Sequence, residues 1–175
     1  MPDLLAHYAV SLLVSSRALK LEYALVFSLI GLLADLDVLL GVHRWITHSI
    51  VVVVVVFTAL YTSLSVLKLK KYVKLLVLSL LIYTLHPVMD LLYGPVPLLY
   101  PLTQQSYSLR VSVDGGVGFN GVTLTPSFEV NVKPVDFTRS YLVEGPLVSS
   151  EGLLIALAVA MVLLVEYTWR TRSEK

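Results

Sequence analysis

The sequence predicts an all-α membrane helix bundle of about five transmembrane helices, with a small extracytoplasmic β insertion. Of the 175 residues, 57% are hydrophobic and 14% charged, and mean hydropathy is +0.81, far more apolar than ordinary soluble usage. One apolar segment of spanning length and four with shorter purely apolar stretches recur along the chain, and one later stretch changes to strict alternation.

The clearest segment is Ile50 to Leu67, which opens with a valine run and meets no charge until Lys68. It is expected to be long enough to span a hydrocarbon core, for which roughly 20 residues are needed. Such a run also suits a buried strand, but its unbroken length argues for a helix in lipid. Four more segments are expected at about Leu4 to Ser16, Glu22 to Leu40, Tyr72 to Leu92 and Gly152 to Trp169. The N-terminus carries Asp3 and His7 with no basic stretch, so it reads as mature fold rather than a signal peptide.

Between these segments, Tyr107 to Val113 alternates at period two, Asp114-Gly115-Gly116 is turn chemistry, and Phe128 to Val132 alternates again. The glycines from Gly115 to Gly121 lack the helix and Lys-Ser/Thr of a phosphate loop, so they read as turns. The expected organisation is a helical membrane domain over 1–102, a β-rich insertion over 103–149, and a last helix with its tail over 150–175.

Arg17 and Lys20 follow segment one, Lys68, Lys70, Lys71 and Lys74 lie between three and four, and Arg170, Arg172 and Lys175 follow five. In an up-and-down bundle all three groups share one side, which the positive-inside rule makes cytoplasmic. His7, Asp35, Asp37, His43, His48, His86 and Asp90 then converge on the other side, from four separate segments. Ionisable groups at helix depth cost at least about 2.5 kcal/mol each, so they are expected to face a polar cavity.

Each candidate also has a plain structural reading. His86 and Asp90, spaced i, i+4, share a helix face and could ligate one metal or merely hydrogen-bond each other. Pro87 between them removes a backbone donor and should kink the helix. Asp35 and Asp37 repel each other unless a cation or proton lies between them, yet they could also cap the following turn. His43 to Ser49 is the densest polar stretch, in which Arg44 could balance carboxylates or hold an anionic oxygen. Trp45 suits an interfacial anchor, and Thr47 and Ser49 suit caps of the next helix. His7, alone on an apolar helix, could be satisfied by a neighbour. With no cysteine, any metal must be held by histidine and carboxylate. The net charge of +1 leaves no basic surplus for a nucleic-acid partner.

The order His7, Asp35-Leu36-Asp37, His43-Arg44-Trp45-Ile46-Thr47-His48-Ser49, His86-Pro87-Val88-Met89-Asp90, Gly94 and Leu99-Tyr100-Pro101 resembles the YdjM-like membrane-bound metal-dependent hydrolases. The His-Arg-x-x-Thr-His-Ser element is its specific part. The resemblance spans roughly Leu4 to Leu109. Ala34 precedes Asp35 where the family often has a proline-led approach. A metal-dependent hydrolase is implied, similar to helical zinc-dependent phospholipase C and nuclease proteins, with all seven His and Asp residues as ligands.

Seven nitrogen and oxygen donors exceed one tetrahedral zinc and suit two or three ions, zinc first and manganese as the alternative. The expected function is hydrolysis of a phosphoester, with a lipid among the candidate substrates. Arg44 would bind a phosphate oxygen, and Asp35 or Asp37 would orient the attacking water. A metal or proton transporter is the competing expectation, and a noncatalytic metal-binding scaffold is the third. Against transport stand the missing internal repeat and the absence of polar groups in the cytoplasmic half of the helices.

Overall fold

A computed structural model describes residues 3–119, 121–138 and 147–173. Lys175, at the end of the last basic group, lies outside them, as do 139–146 within the expected insertion. Five α-helices carry the chain: α1 (Leu4–Ala18), α2 (Leu21–Phe27), α3 (Ile50–Val66), α4 (Val73–Asp90) and α5 (Ser150–Ser173). A long 3-10 segment, Ser28–Leu40, continues α2, and strands β1 (Gln105–Gly118) and β2 (Gly121–Pro134) form one antiparallel hairpin.

Leu21–Leu40, Lys70–Asp90 and Ser150–Trp169 are each long and apolar enough to cross a membrane. The valine-rich segment expected to be the clearest span is a helix of 17 residues, about 26 Å at 1.5 Å per residue. It starts at Ile50, as expected, because Ser49 caps it, accepting from the Val52 amide at 3.3 Å, while Ile46–His48 forms a separate 3-10 turn. Helix α1 is shorter still, at 15 residues.

The second segment departs from the expected α-helix. After seven residues it tightens to 3-10 geometry for 13 more, a length seldom reached. At three residues per turn, Ser28, Gly31, Ala34 and Asp37 fall in one stripe, and all four are buried. Small side chains let this stripe close on α1 and α4: a Cβ on Gly31 would overlap Ser11 and lie 3.3 Å from Ile82. The 3-10 rise of about 2.0 Å also makes the segment longer than an α-helix of equal residue count.

Burial is inverted relative to a water-soluble domain. Asp3, His7, Ser11, Ser15, Asp37, His48, His86 and Asp90 are buried, while Leu39, Val55, Leu154, Met161 and Leu164 are exposed. Lipid suits such an outer face, because apolar side chains lose nothing there and polar groups must be satisfied within.

Helices α1 and α5 run in the same direction. Asp3 caps α1 through the Ala6 amide (2.6 Å) and accepts from the Ser149 amide beside the start of α5. At the other end of the pair, Arg17 meets Glu166. Helix α4 continues through Pro87 to Asp90, and α3 packs beside it.

The hairpin is longer than the alternation suggests, and its reversal lies elsewhere. Asp114, Gly115 and Gly116 are not a turn: they lie within β1, opposite Thr125, Leu124 and Thr123. The chain turns instead between the Gly118 and Gly121 pair, where Gly121 has φ 110, a conformation that glycine alone adopts without strain. Paired residues share a face. Tyr107 with Val132, Leu109 with Val130 and Val111 with Phe128 make one face apolar; Ser108 with Asn131 and Arg110 with Glu129 make the other polar. The root is fixed by Val96, whose amide donates to Tyr107 O at 2.8 Å and whose carbonyl accepts from Tyr107 N at 2.9 Å.

Candidate metal centre

Segment ends deliver the polar residues to one place. His7 lies one turn into α1, Asp35 and Asp37 near the end of the 3-10 segment, His48 just before α3, and His86 and Asp90 in the last turn of α4. Gly41 closes the 3-10 segment in the left-handed region at φ 74, and Arg44 follows at φ 58. That second value is unfavourable for a residue with a Cβ. It is held by the guanidinium, whose Nε donates to Asp90 Oδ2 at 2.8 Å.

All seven expected ligand residues meet here, six of them in two triads of His7, His86, Asp90 and Asp35, His43, His48, each with its candidate ligand atoms within 4.8 Å of one another. The triads touch. His86 Nε2 is 3.2 Å from Asp35 Oδ1, and His48 Nε2 is 3.5 Å from Asp90 Oδ2. Asp37 joins through Oδ1, 3.6 Å from His43 Nδ1. The rings pack closely too, His7 stacking on His86 at 3.9 Å between centroids. His43 and Asp35 are the most open, with side chains 14% and 13% exposed.

Second partners fix three of the rings. His86 Nδ1 donates to Gly31 O at 2.7 Å, and His7 Nδ1 to Asp3 O at 3.2 Å. A carbonyl only accepts, so Nδ1 carries the proton in both rings, and the neutral ring keeps its lone pair on Nε2. His48 is set the same way by Asp37 Oδ2 at 3.1 Å. Such carbonyl or carboxylate partners are how ligating histidines are oriented. Asp37 Oδ2 accepts two further bonds, from Trp45 N (2.8 Å) and Thr47 Oγ1 (2.8 Å). Thr47 therefore supports Asp37 instead of capping α3, whereas Ser49 does cap it. The Tyr83 hydroxyl steadies the same loop by donating to Thr47 O at 2.9 Å.

The inward atoms have no hydrogen-bond partners: His7, His48 and His86 Nε2, both His43 nitrogens, and Oδ1 of Asp35, Asp37 and Asp90 are all buried and unsatisfied. With the rings neutral, imidazole lone pairs face carboxylate oxygens, a repulsive arrangement in a poorly solvated place. Three carboxylates against one guanidinium also leave two negative charges if the rings are neutral. A divalent cation answers both features, and the donor set of imidazole and carboxylate is one that zinc or manganese accepts.

Several supporting residues were not singled out from sequence. Asp3 and Gly31 act through backbone carbonyls, and Gly94 acts by lacking a side chain, since a Cβ there would overlap Arg44 Nη1. Only for Gly94 did the sequence give a cue, its place in the motif order.

Neither curated proteins nor solved structures yield a match to this chain. The family model described as YdjM inner membrane protein matches residues 3–173, so the similarity extends past the helices carrying the motifs to the hairpin and α5. The chain belongs to the YdjM inner membrane protein family.

Proposed function

We propose that the protein is a five-span, metal-dependent hydrolase of phosphoesters, lipids among them, with its site at the extracytoplasmic edge of the bilayer. The observation that carries this reading is the set of Nε2 lone pairs and carboxylate oxygens aimed at one another without partners. His7, His86 and Asp90 would hold one ion, and Asp35, His43 and His48, with Asp37 Oδ1, a second. Bound ions would supply Lewis acidity and water of lowered pKa.

The chain's own groups supply the rest. Arg44 Nε is engaged by Asp90, while Nη2 is buried with no partner. That donor suits a phosphate oxygen of the substrate, and the Asp90 contact keeps it aimed. Asp37 Oδ2 already takes three hydrogen bonds, so Asp35, the more open carboxylate, is the better placed to orient water.

Transport is less well supported. Behind His7, the buried polar groups of α1 are Ser11 and Ser15, and Ser15 spends its proton on Ser11 O at 2.7 Å. No titratable side chain among the described buried residues continues the path toward Arg17.

Elemental analysis of detergent-purified protein should find zinc or manganese, and a phosphoester panel should show turnover that depends on it. His86→Ala and Asp37→Ala should each lower bound metal and abolish activity, the double change adding little, because residues of one unit are non-additive. Glu166→Gln, at the opposite end, should leave metal content unchanged. Ion flux into vesicles, lost in the same variants and unaccompanied by hydrolysis of any ester, would overturn this reading in favour of transport.

A further inference from the structure

A second polar feature lies beside the cluster. Where the root of the hairpin passes the end of α4, a cavity of about 360 Å³ is lined by Ser108, Arg110, Glu129, Asn131 and Lys133 of the hairpin, together with Leu109 and the 92–94 segment. The hairpin register explains the lining: Ser108 opposes Asn131 and Arg110 opposes Glu129 on the polar face. The cavity is tied to the cluster by Gly94, which sits directly against Arg44 Nη1, and Arg44 in turn bonds Asp90. One guanidinium therefore separates the two sites.

The charges in the cavity are unspent. Among the described residues, neither Arg110 nor Lys133 takes part in an ion pair, although Glu129 stands opposite Arg110 in the ladder. Two cations against one carboxylate leave an excess positive charge, and Ser108 and Asn131 add neutral hydrogen-bonding groups. Leu92 and Leu109 add apolar surface to this polar lining, in a chain whose outer face is apolar.

We propose that this cavity is an anion subsite for a hydroxylated phosphate headgroup, in which Arg110 and Lys133 grip the phosphate and Ser108 and Asn131 take its hydroxyls. The subsite deepens the hydrolase reading by naming a substrate class, a glycerol-phosphate type headgroup, and rests on that reading only for the bond cleaved. Binding itself is independent of it.

The test uses the full chain in nanodiscs of phosphatidylcholine, with glycerol 3-phosphate as titrant and glycerol as neutral control. Calorimetry should show binding of the phosphate and not of glycerol, weakened at least about tenfold in Arg110→Gln/Lys133→Gln, since charge-assisted bonds to the anion are lost. Glu129→Gln, an exposed change that leaves the fold intact, should tighten binding by a few fold. Adding phosphatidylglycerol to the nanodiscs distinguishes the sources. Displacement of the titrant assigns the site to a lipid headgroup, and undiminished binding assigns it to the free phosphoester. Unchanged affinity in both the double variant and Glu129→Gln overturns the subsite, even where ester turnover at the cluster persists. Binding that follows these variants without turnover of any ester retains the subsite and removes the hydrolase.

Discussion

Asp37 divides its carboxylate between two tasks. One oxygen gathers the Trp45 amide, the Thr47 hydroxyl and His48 Nδ1, while the other is buried, unpartnered and turned toward His43. Removing a single supporting bond should cost about 1 kcal/mol, so Thr47→Val should lower the melting temperature modestly and leave metal stoichiometry intact. Asp37→Ala removes both tasks and should lose metal as well. Equal metal loss in the two variants, read by elemental analysis, would reduce Asp37 to a loop anchor. Arg44→Lys gives a different signature: metal retained and rate lost, because an ammonium cannot keep the Asp90 bond and also offer a second planar donor. The seven inward residues were legible from sequence because histidine and aspartate stand out in so apolar a chain. Asp3 and Gly31 were not, since any residue type offers a carbonyl and only the fold says which one meets a ring.

At the scale of elements, the 3-10 segment is what lets α1, α4 and the Asp35 to Asp37 pair come together. Its buried stripe of Ser28, Gly31, Ala34 and Asp37 has a period of three, and that spacing was present in the sequence. Period 3 and period 3.6 part by about 20° per residue, half a turn between Ser28 and Asp37, but in a uniformly apolar stretch hydropathy gives neither period a contrasting face. The hairpin was legible as alternation, but glycines that mark turns elsewhere here extend a strand, because Gly115 and Gly116 still pair across the ladder. Close approach of the stripe to α1 makes a sharp prediction. Gly31→Ala drives its new Cβ into Ser11, which should destabilise the protein by about 1–3 kcal/mol in the manner of an overpacked core. Ser11→Gly in the same chain should recover most of the loss, because it removes the overlapping atoms. A Gly31→Ala protein with an unchanged melting temperature in detergent would show that the two elements are not in tight contact.

At the scale of the molecule, the histidine cluster and the basic residues that join α1 to α2 and α3 to α4 sit at opposite ends. Asp3 and the start of α5 meet at the end that holds His7, while Arg17 and Glu166 meet at the other. The Lys68 to Lys74 group lies where α3 hands over to α4, a full helix away from His48 and from His86. Sequence could anticipate this polarity because alternate segments of a bundle return the chain to the same face. The short extents of α1 and α3 were legible too, because their apolar runs start beside the caps Asp3 and Ser49 and stop at Arg17 and Lys68. Basic flanks favour the cytoplasm, so the hairpin and the histidine cluster should face outward. The chain contains no cysteine, which makes single introduced thiols unambiguous reporters. Gly116→Cys, on the exposed hairpin, should react with an impermeant maleimide added to spheroplasts, from which the outer barrier has been removed. Lys71→Cys, between α3 and α4, should react only after lysis. The reverse pattern would place the cluster on the cytoplasmic side and change the pool of phosphoesters it can meet. Labelling of both sites in intact spheroplasts would mean that α4, the helix between them, does not cross the bilayer.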